Sequence, residues 1–123
     1  MIQTVLTWLR SYPGLEQLQP EALGANPGEA GLFFRGLTLV KTQKDILGGR
    51  LRRKRLEFYL ERNCPEDPCT LWMQGFTAWA EANAPSLGEG SDLICSQGQM
   101  IRRDETGLAR CRVTLTFEFT QRL

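Results

Sequence analysis

Histidine is missing from these 123 residues, and net charge nearly so: 15 lysines and arginines face 14 aspartates and glutamates, a formal +1 at pH 7. Without histidine, Ser-His and Cys-His nucleophile pairs are excluded, together with the commonest general base. A domain that grips duplex nucleic acid through many phosphates carries a clear basic excess, so any basic footprint here must be local. No apolar run approaches the roughly 20 residues that span a bilayer. The opening MIQTVLTWLRSYPG has no basic region ahead of its apolar residues and no small-residue cleavage site, so a secretory leader is not expected. A Walker A loop and a dinucleotide fingerprint are also absent; the glycines of GEAGLFFRG and GEGSD lack the spacing and the strand-to-helix context. Acidic residues are scattered over expected loops and exposed faces, and no carboxylate pair stands out. These absences point away from an enzyme, a bound cofactor and a membrane partner.

What is present has the balance of a folded domain. The chain is 41% hydrophobic and 24% charged, and its length suits one domain over 1–123. Four cysteines, Cys64, Cys69, Cys95 and Cys111, raise the question of zinc. CPEDPC spaces one pair plausibly, but Cys95 and Cys111 form no second knuckle and no histidine can complete a site. Buried or incidental thiols of a reducing compartment are the expectation, with no metal.

Periodicity orders the elements. Ile2, Val5, Leu6 and Leu9 recur at helical spacing with Trp8 beside them, predicting a helix over 2–12 that Pro13-Gly14 stops. The segment to Gly31 reads as loop, with at most a short strand near Leu15–Leu18. GLFFRGLTLVKTQKD has strand composition, with Leu37 and Leu39 alternating with Thr38 and Val40, and Asp45–Gly49 supplies a glycine-bearing turn. In the next strand Leu56, Phe58 and Leu60 take one face and Glu57, Tyr59 and Glu61 the other. Asp67-Pro68 predicts an N-cap followed by proline at the first helical position. The helix then carries Leu71, Trp72, Phe76, Trp79 and Ala80 to about Asn83. Its aromatics read as a face buried on a sheet rather than as a stacking platform for bases. Leu93–Arg103 and Leu108–Thr120 bracket a turn at Asp104–Gly107, and Val113, Leu115, Phe117 and Phe119 alternate with polar residues. The expected fold is α+β: an antiparallel or mixed sheet of four to five strands with two main helices on one face.

One stretch does not belong to the core. GGRLRRKR packs five basic residues into positions 50–55, and Lys41 and Lys44 oppose them across the turn, with Asp45 the only acid from 41 to 55. Such an arm suits a phosphate backbone. It equally suits a solvated strand whose charges guard an exposed edge, or a contact with another subunit. No aromatic is interleaved in the basic run, which weakens single-strand stacking in particular. Two readings stand: an assembly arm, or a small nucleic-acid-binding module using the hairpin 41–55.

The helix ending near SYPGLE, the NPGEAGLF segment, the strand leading through KDILGG into a basic strand, the helix LWMQGFTAWAE and the hairpin around ETG follow one another along nearly the whole chain. In this order they resemble a family of small tailed-phage and prophage minor capsid proteins that look like the tail terminators, or tail completion proteins, of long-tailed phages. The CPEDPC connection departs from that pattern. The resemblance implies a virion structural component that caps the tail tube and joins it to the head connector. It also implies a head-to-tail ring of identical subunits, commonly hexameric, with the tube and connector proteins as partners and DNA only as cargo passing through. The implied location is the host bacterial cytoplasm during assembly, then the tail or neck of the virion. A closed ring needs two different patches that meet. The expected pair is the arm, Lys41, Lys44, Ile46, Leu47, Arg50, Arg52, Arg53, Lys54 and Arg55, against the acids Glu81, Glu89 and Asp92.

Overall fold

The computed structural model describes residues 1–44 and 48–122. In chain order the elements are α1 (Ile2–Leu9), β1 (Gln19–Pro20), β2 (Ala30–Lys44), β3 (Arg50–Cys64), α2 (Leu71–Ala82), β4 (Glu89–Cys95), β5 (Gln99–Arg103) and β6 (Ala109–Arg122). The fold is α+β. Its sheet has six strands in the order β1-β2-β3-β6-β4, with β5 also on β6. β1 runs parallel to β2 and the other pairings are antiparallel, so the sheet is mixed and slightly larger than expected. Asp45, Ile46 and Leu47, which carry the expected turn and two of the expected interface residues, lie outside the described residues.

Alternation builds the core. Val113, Leu115, Phe117 and Phe119 of β6 are fully buried, while Thr114, Thr116, Glu118 and Thr120 between them are half-buried on the other face. Leu56, Phe58 and Leu60 of β3 pair with Phe117, Leu115 and Val113, which puts both strands' apolar residues on one face. Val5, Leu6 and Leu9 of α1 and Met73, Phe76 and Ala80 of α2 close over that face in a single cluster. Each such side chain contributes roughly 1.5–3 kcal/mol by leaving water.

The helices lock to each other through rings. Trp8 stacks on Trp79 with centroids 5.2 Å apart, and Tyr12 packs against Trp72, Phe76 and Trp79. Trp8 Nε1 donates to the Asn83 carbonyl at 2.8 Å, so α1 also satisfies the C-terminal end of α2. Phe117 meets Trp8 edge-on at 6.0 Å and Phe58 at 6.2 Å.

Four local expectations are corrected. α1 ends at Leu9, three residues early, because Ser11 and Tyr12 donate to the Trp8 and Leu9 carbonyls in tight turns that swing Tyr12 into the aromatic group. Leu15 and Leu18 form no strand; they plug the core from successive turns, and Arg10 clamps the Leu18 carbonyl. Asp67 is not the N-cap of α2. Thr70 holds that position, and the residues before it are used in a turn closed by Leu71 N–H on the Pro68 carbonyl. The expected long strand over 93–103 is also divided, between β4 and β5. A Cβ on Gly98 in that break would lie 2.5 Å from Met73 Cβ, so the absence of a side chain lets the sheet edge approach α2.

Length decides what stays uncovered. β3 and β6 pair continuously over 14 residue pairs, about 45 Å of strand at roughly 3.4 Å each. α2 has 12 residues, about 18 Å long. The sheet outruns its helices, and the far half of the β2–β3 hairpin projects past them.

Truncating Phe117 to Ala should cost about 3–5 kcal/mol in denaturant unfolding, because the site is walled by rings that cannot collapse inward. A loss under about 1 kcal/mol would mean that the site is not the packed centre described.

Candidate assembly interface: the basic hairpin arm

Pairing fixes which way each arm residue faces. Lys54 opposes Leu39 and Leu56 opposes Leu37, so Arg52, Lys54, Leu37 and Leu39 share the helix side of the sheet. Phe34, Leu37 and Leu39 are 42%, 48% and 55% exposed, rising toward the tip as the helix layer runs out. Leu37 and Leu39 lie on the core face of the strand, but beyond its cover. Comparing strand length with helix length was the signal that could have found them.

The other side of the arm is a charge network. Arg53 Nη1 donates to the Gly90 carbonyl at 2.8 Å and lies 3.3 Å from Thr120 Oγ1. Arg55 meets Glu118 and Arg122 meets Glu89, each at 3.5 Å. Farther from the tip, Arg35 and Arg112 both lie over the Tyr59 ring, and Arg112 grips Glu61 at 2.9 Å. These pairs are partly exposed and individually weak.

The expected acidic patch does not form one surface. Glu89 and Asp92 pair through β6 with the same levels of sheet as Arg53 and Arg55, so within one chain they flank the basic residues. Asp92 Oδ1 also accepts from the Leu93 N–H. Glu81 instead accepts from the Cys95 N–H at 3.4 Å, on the helix layer. Lys41 faces the network side with Arg53, and Lys44 and Arg50 pair at the last described level of the hairpin.

The base of the sheet offers a second candidate. A cavity of about 960 Å³ opens between the 64–69 connection and the 103–108 turn, lined by Cys64, Glu66, Cys69, Arg103 and Asp104 among others. Nearby Arg62 is buried, its Nη1 donating to both Glu66 carboxylate oxygens at 2.9 and 3.0 Å and its guanidinium stacked over Trp72, with its Nε unpaired among the described residues. Glu66 answers its charge, so this is a structural anchor for the connection into α2. The four cysteines are free thiols, and Cys111 Sγ donates to the Cys69 carbonyl at 3.2 Å. No group of three or more potential ligands among the described residues is arranged to hold a metal. No helix among them is long and apolar enough to cross a membrane.

Burial first, and the nearby Glu81 carboxylate second, push the Cys95 thiol up to about 12 from an ordinary 9.0. The folded state thus keeps a proton that the unfolded chain loses. That stabilisation is complete below pH 9 and disappears as pH rises through 9 toward 12. Unfolding free energy should therefore fall over that window less steeply in Cys95→Ala than in the wild type. Equal slopes would remove Cys95 as the cause.

No protein-family model matches the chain, and no curated protein matches it. What it does rests on its own surfaces.

Proposed function

We propose that the chain is a structural component of a tailed-phage or prophage virion that caps the tail tube and joins it to the head connector as a subunit ring. The observation that carries this reading is the arm. β2 and β3, with the end of β6 paired alongside β3 as far as Leu51, run on past the helix layer, with Leu37 and Leu39 exposed beside Arg52 and Lys54 on one side and a lattice of charges on the other. An extended, partly apolar and strongly basic projection suits a macromolecular partner, not a small molecule. The resemblance along the chain to tail completion proteins supplies the kind of partner: copies of itself, the tube protein and the connector. The α+β order agrees with that family and with many others, so it supports the reading only weakly.

Nucleic acid remains the rival occupant of the arm, and charge reversal separates the two. Arg53 and Arg55 have partners within the chain, so reversing them also disturbs the sheet. Arg52 and Lys54, beside Leu39 on the helix side, make the cleaner probe. Arg52→Glu with Lys54→Glu should leave the melting temperature within a few degrees of the wild type. In a terminator-deleted phage complemented with the variant, the yield of completed tails should fall at least about tenfold. Normal tail completion would exclude this side of the arm as the joint. Tight DNA binding by the wild type, falling steeply with salt and erased by the same changes, would favour the nucleic-acid reading.

A further inference from the structure

The sheet has two open edges, and they match. Among the described residues, β2 beyond Phe34, whose N–H donates to Glu21, pairs only with β3; at the opposite side β4 pairs only with β6, its Leu93 and Cys95 N–H groups donating to the Asp92 and Glu81 side chains. β2 carries Arg35, Lys41 and Lys44 and no acid, whereas β4 carries Glu89 and Asp92 and no base. Two β2 edges brought together would therefore repel, as would two β4 edges. A β2 edge against a β4 edge would attract.

The pairing also matches level by level. Lys41 is joined through Arg53 and Thr120 to Glu89; Thr38 through Arg55 and Glu118 to Asp92; Gly36 through Glu57 and Thr116 to Ile94. The five side chains among these six edge residues point to the same side of the sheet, away from the helices. If a second chain is placed beside the first at the same height, the ammonium of Lys41 faces the carboxylate of Glu89, and the Thr38 hydroxyl faces Asp92. Ile94, 59% exposed, then faces Gly36, where nothing lies within 4 Å of the missing Cβ. Strand direction agrees as well. Three antiparallel steps separate β2 from β4, so the two edges run in opposite senses, and rotation about an axis along the strands leaves them antiparallel at the junction.

We infer that β2 of one chain pairs with β4 of a second copy, extending the sheet head to tail around a ring. This rests on the assembly reading above and names its joint. The two bulges in β2, at Phe34/Gly36 and Leu39/Lys41, together with its lysines, discourage indiscriminate edge pairing and leave the acidic edge as the favoured partner. Among the described residues, the ion pair of Glu89 is with Arg122, at 3.5 Å with both groups more than half exposed, a pair that exchanges readily for Lys41.

Oxidative crosslinking of concentrated purified protein tests the joint. Lys41→Cys mixed with Glu89→Cys should give a crosslinked dimer, and neither variant alone should. The double variant should give a ladder of species. It cannot close within one chain, because three strand spacings, about 14 Å, separate the two positions. The wild type reports any background from its own thiols. In parallel, Lys41→Glu should weaken self-association about tenfold or more, and adding Glu89→Lys should restore it. Crosslinking within either single variant, or none in the mixture, would overturn the edge pairing. Tail completion by the complementing phage would then still test the terminator reading separately.

Discussion

The ladder between β3 and β6 runs from Leu51↔Arg122 to Cys64↔Ala109 without a bulge, whereas β2, β4 and β5 each meet their neighbour with at least one register shift. A one-residue slip in this ladder would send Leu56, Phe58 and Leu60 to the face opposite Val113, Leu115 and Phe117 and break the core in two. The helices depend on it, because Met73, Phe76, Val5 and Leu9 have only that continuous apolar face to cover. The flanking strands can bulge because they carry less of the core. That tolerance lets β2 twist along a projecting arm without disturbing the packed half of the sheet.

The face away from the helices follows from the same ladder by a different balance. Its odd-numbered β3 residues bring Arg53, Arg55, Glu57, Tyr59 and Glu61 beside Thr120, Glu118, Thr116, Thr114 and Arg112. Opposite charges thereby land across from one another: Arg55 on Glu118 and Glu61 on Arg112, with Arg112 and Arg35 against the Tyr59 ring. Cross-strand pairs of this kind contribute a few tenths to about 1 kcal/mol each. They hold the side of the sheet that the helices leave uncovered. The basic run at 50–55 is therefore not uniform: its odd members are built into the sheet, and Arg52 and Lys54 lie on the opposite side, beside exposed leucines.

Period-two alternation made β6 and the inner half of β3 legible from the chain itself, and helical spacing did the same for α1 and α2. Helix ends were not legible, because they are set by distant partners. Tyr12 leaves the helix to reach Trp72, Phe76 and Trp79, and the stretch before α2 is committed to a turn and to Cys111. The basic arm was legible as a charged hairpin, since Lys41 pairs with Arg53 and Lys44 with Arg50. Its relation to Glu89 and Asp92 was not. Strand order is a non-local choice, and only the placement of β4 on β6 brings Gly90 within reach of Arg53, 37 residues earlier in the chain.

An arm that exposes Leu37, Leu39 and Val40 along an edge strand carries an aggregation hazard. Proline, the bluntest safeguard, is absent from β2; like charge and two bulges do the work instead. These devices act selectively. On the pairing inferred above, a cationic edge would reject its own copy and neutral strands lacking a matching kink, while remaining open to an acidic edge that brings carboxylates to the right heights. Protection from indiscriminate pairing and choice of partner thus come from the same few side chains. On the assembly proposed above, the core half of the sheet contributes stability and the arm contributes selectivity, so substitutions at the exposed arm residues would alter association with little effect on the fold.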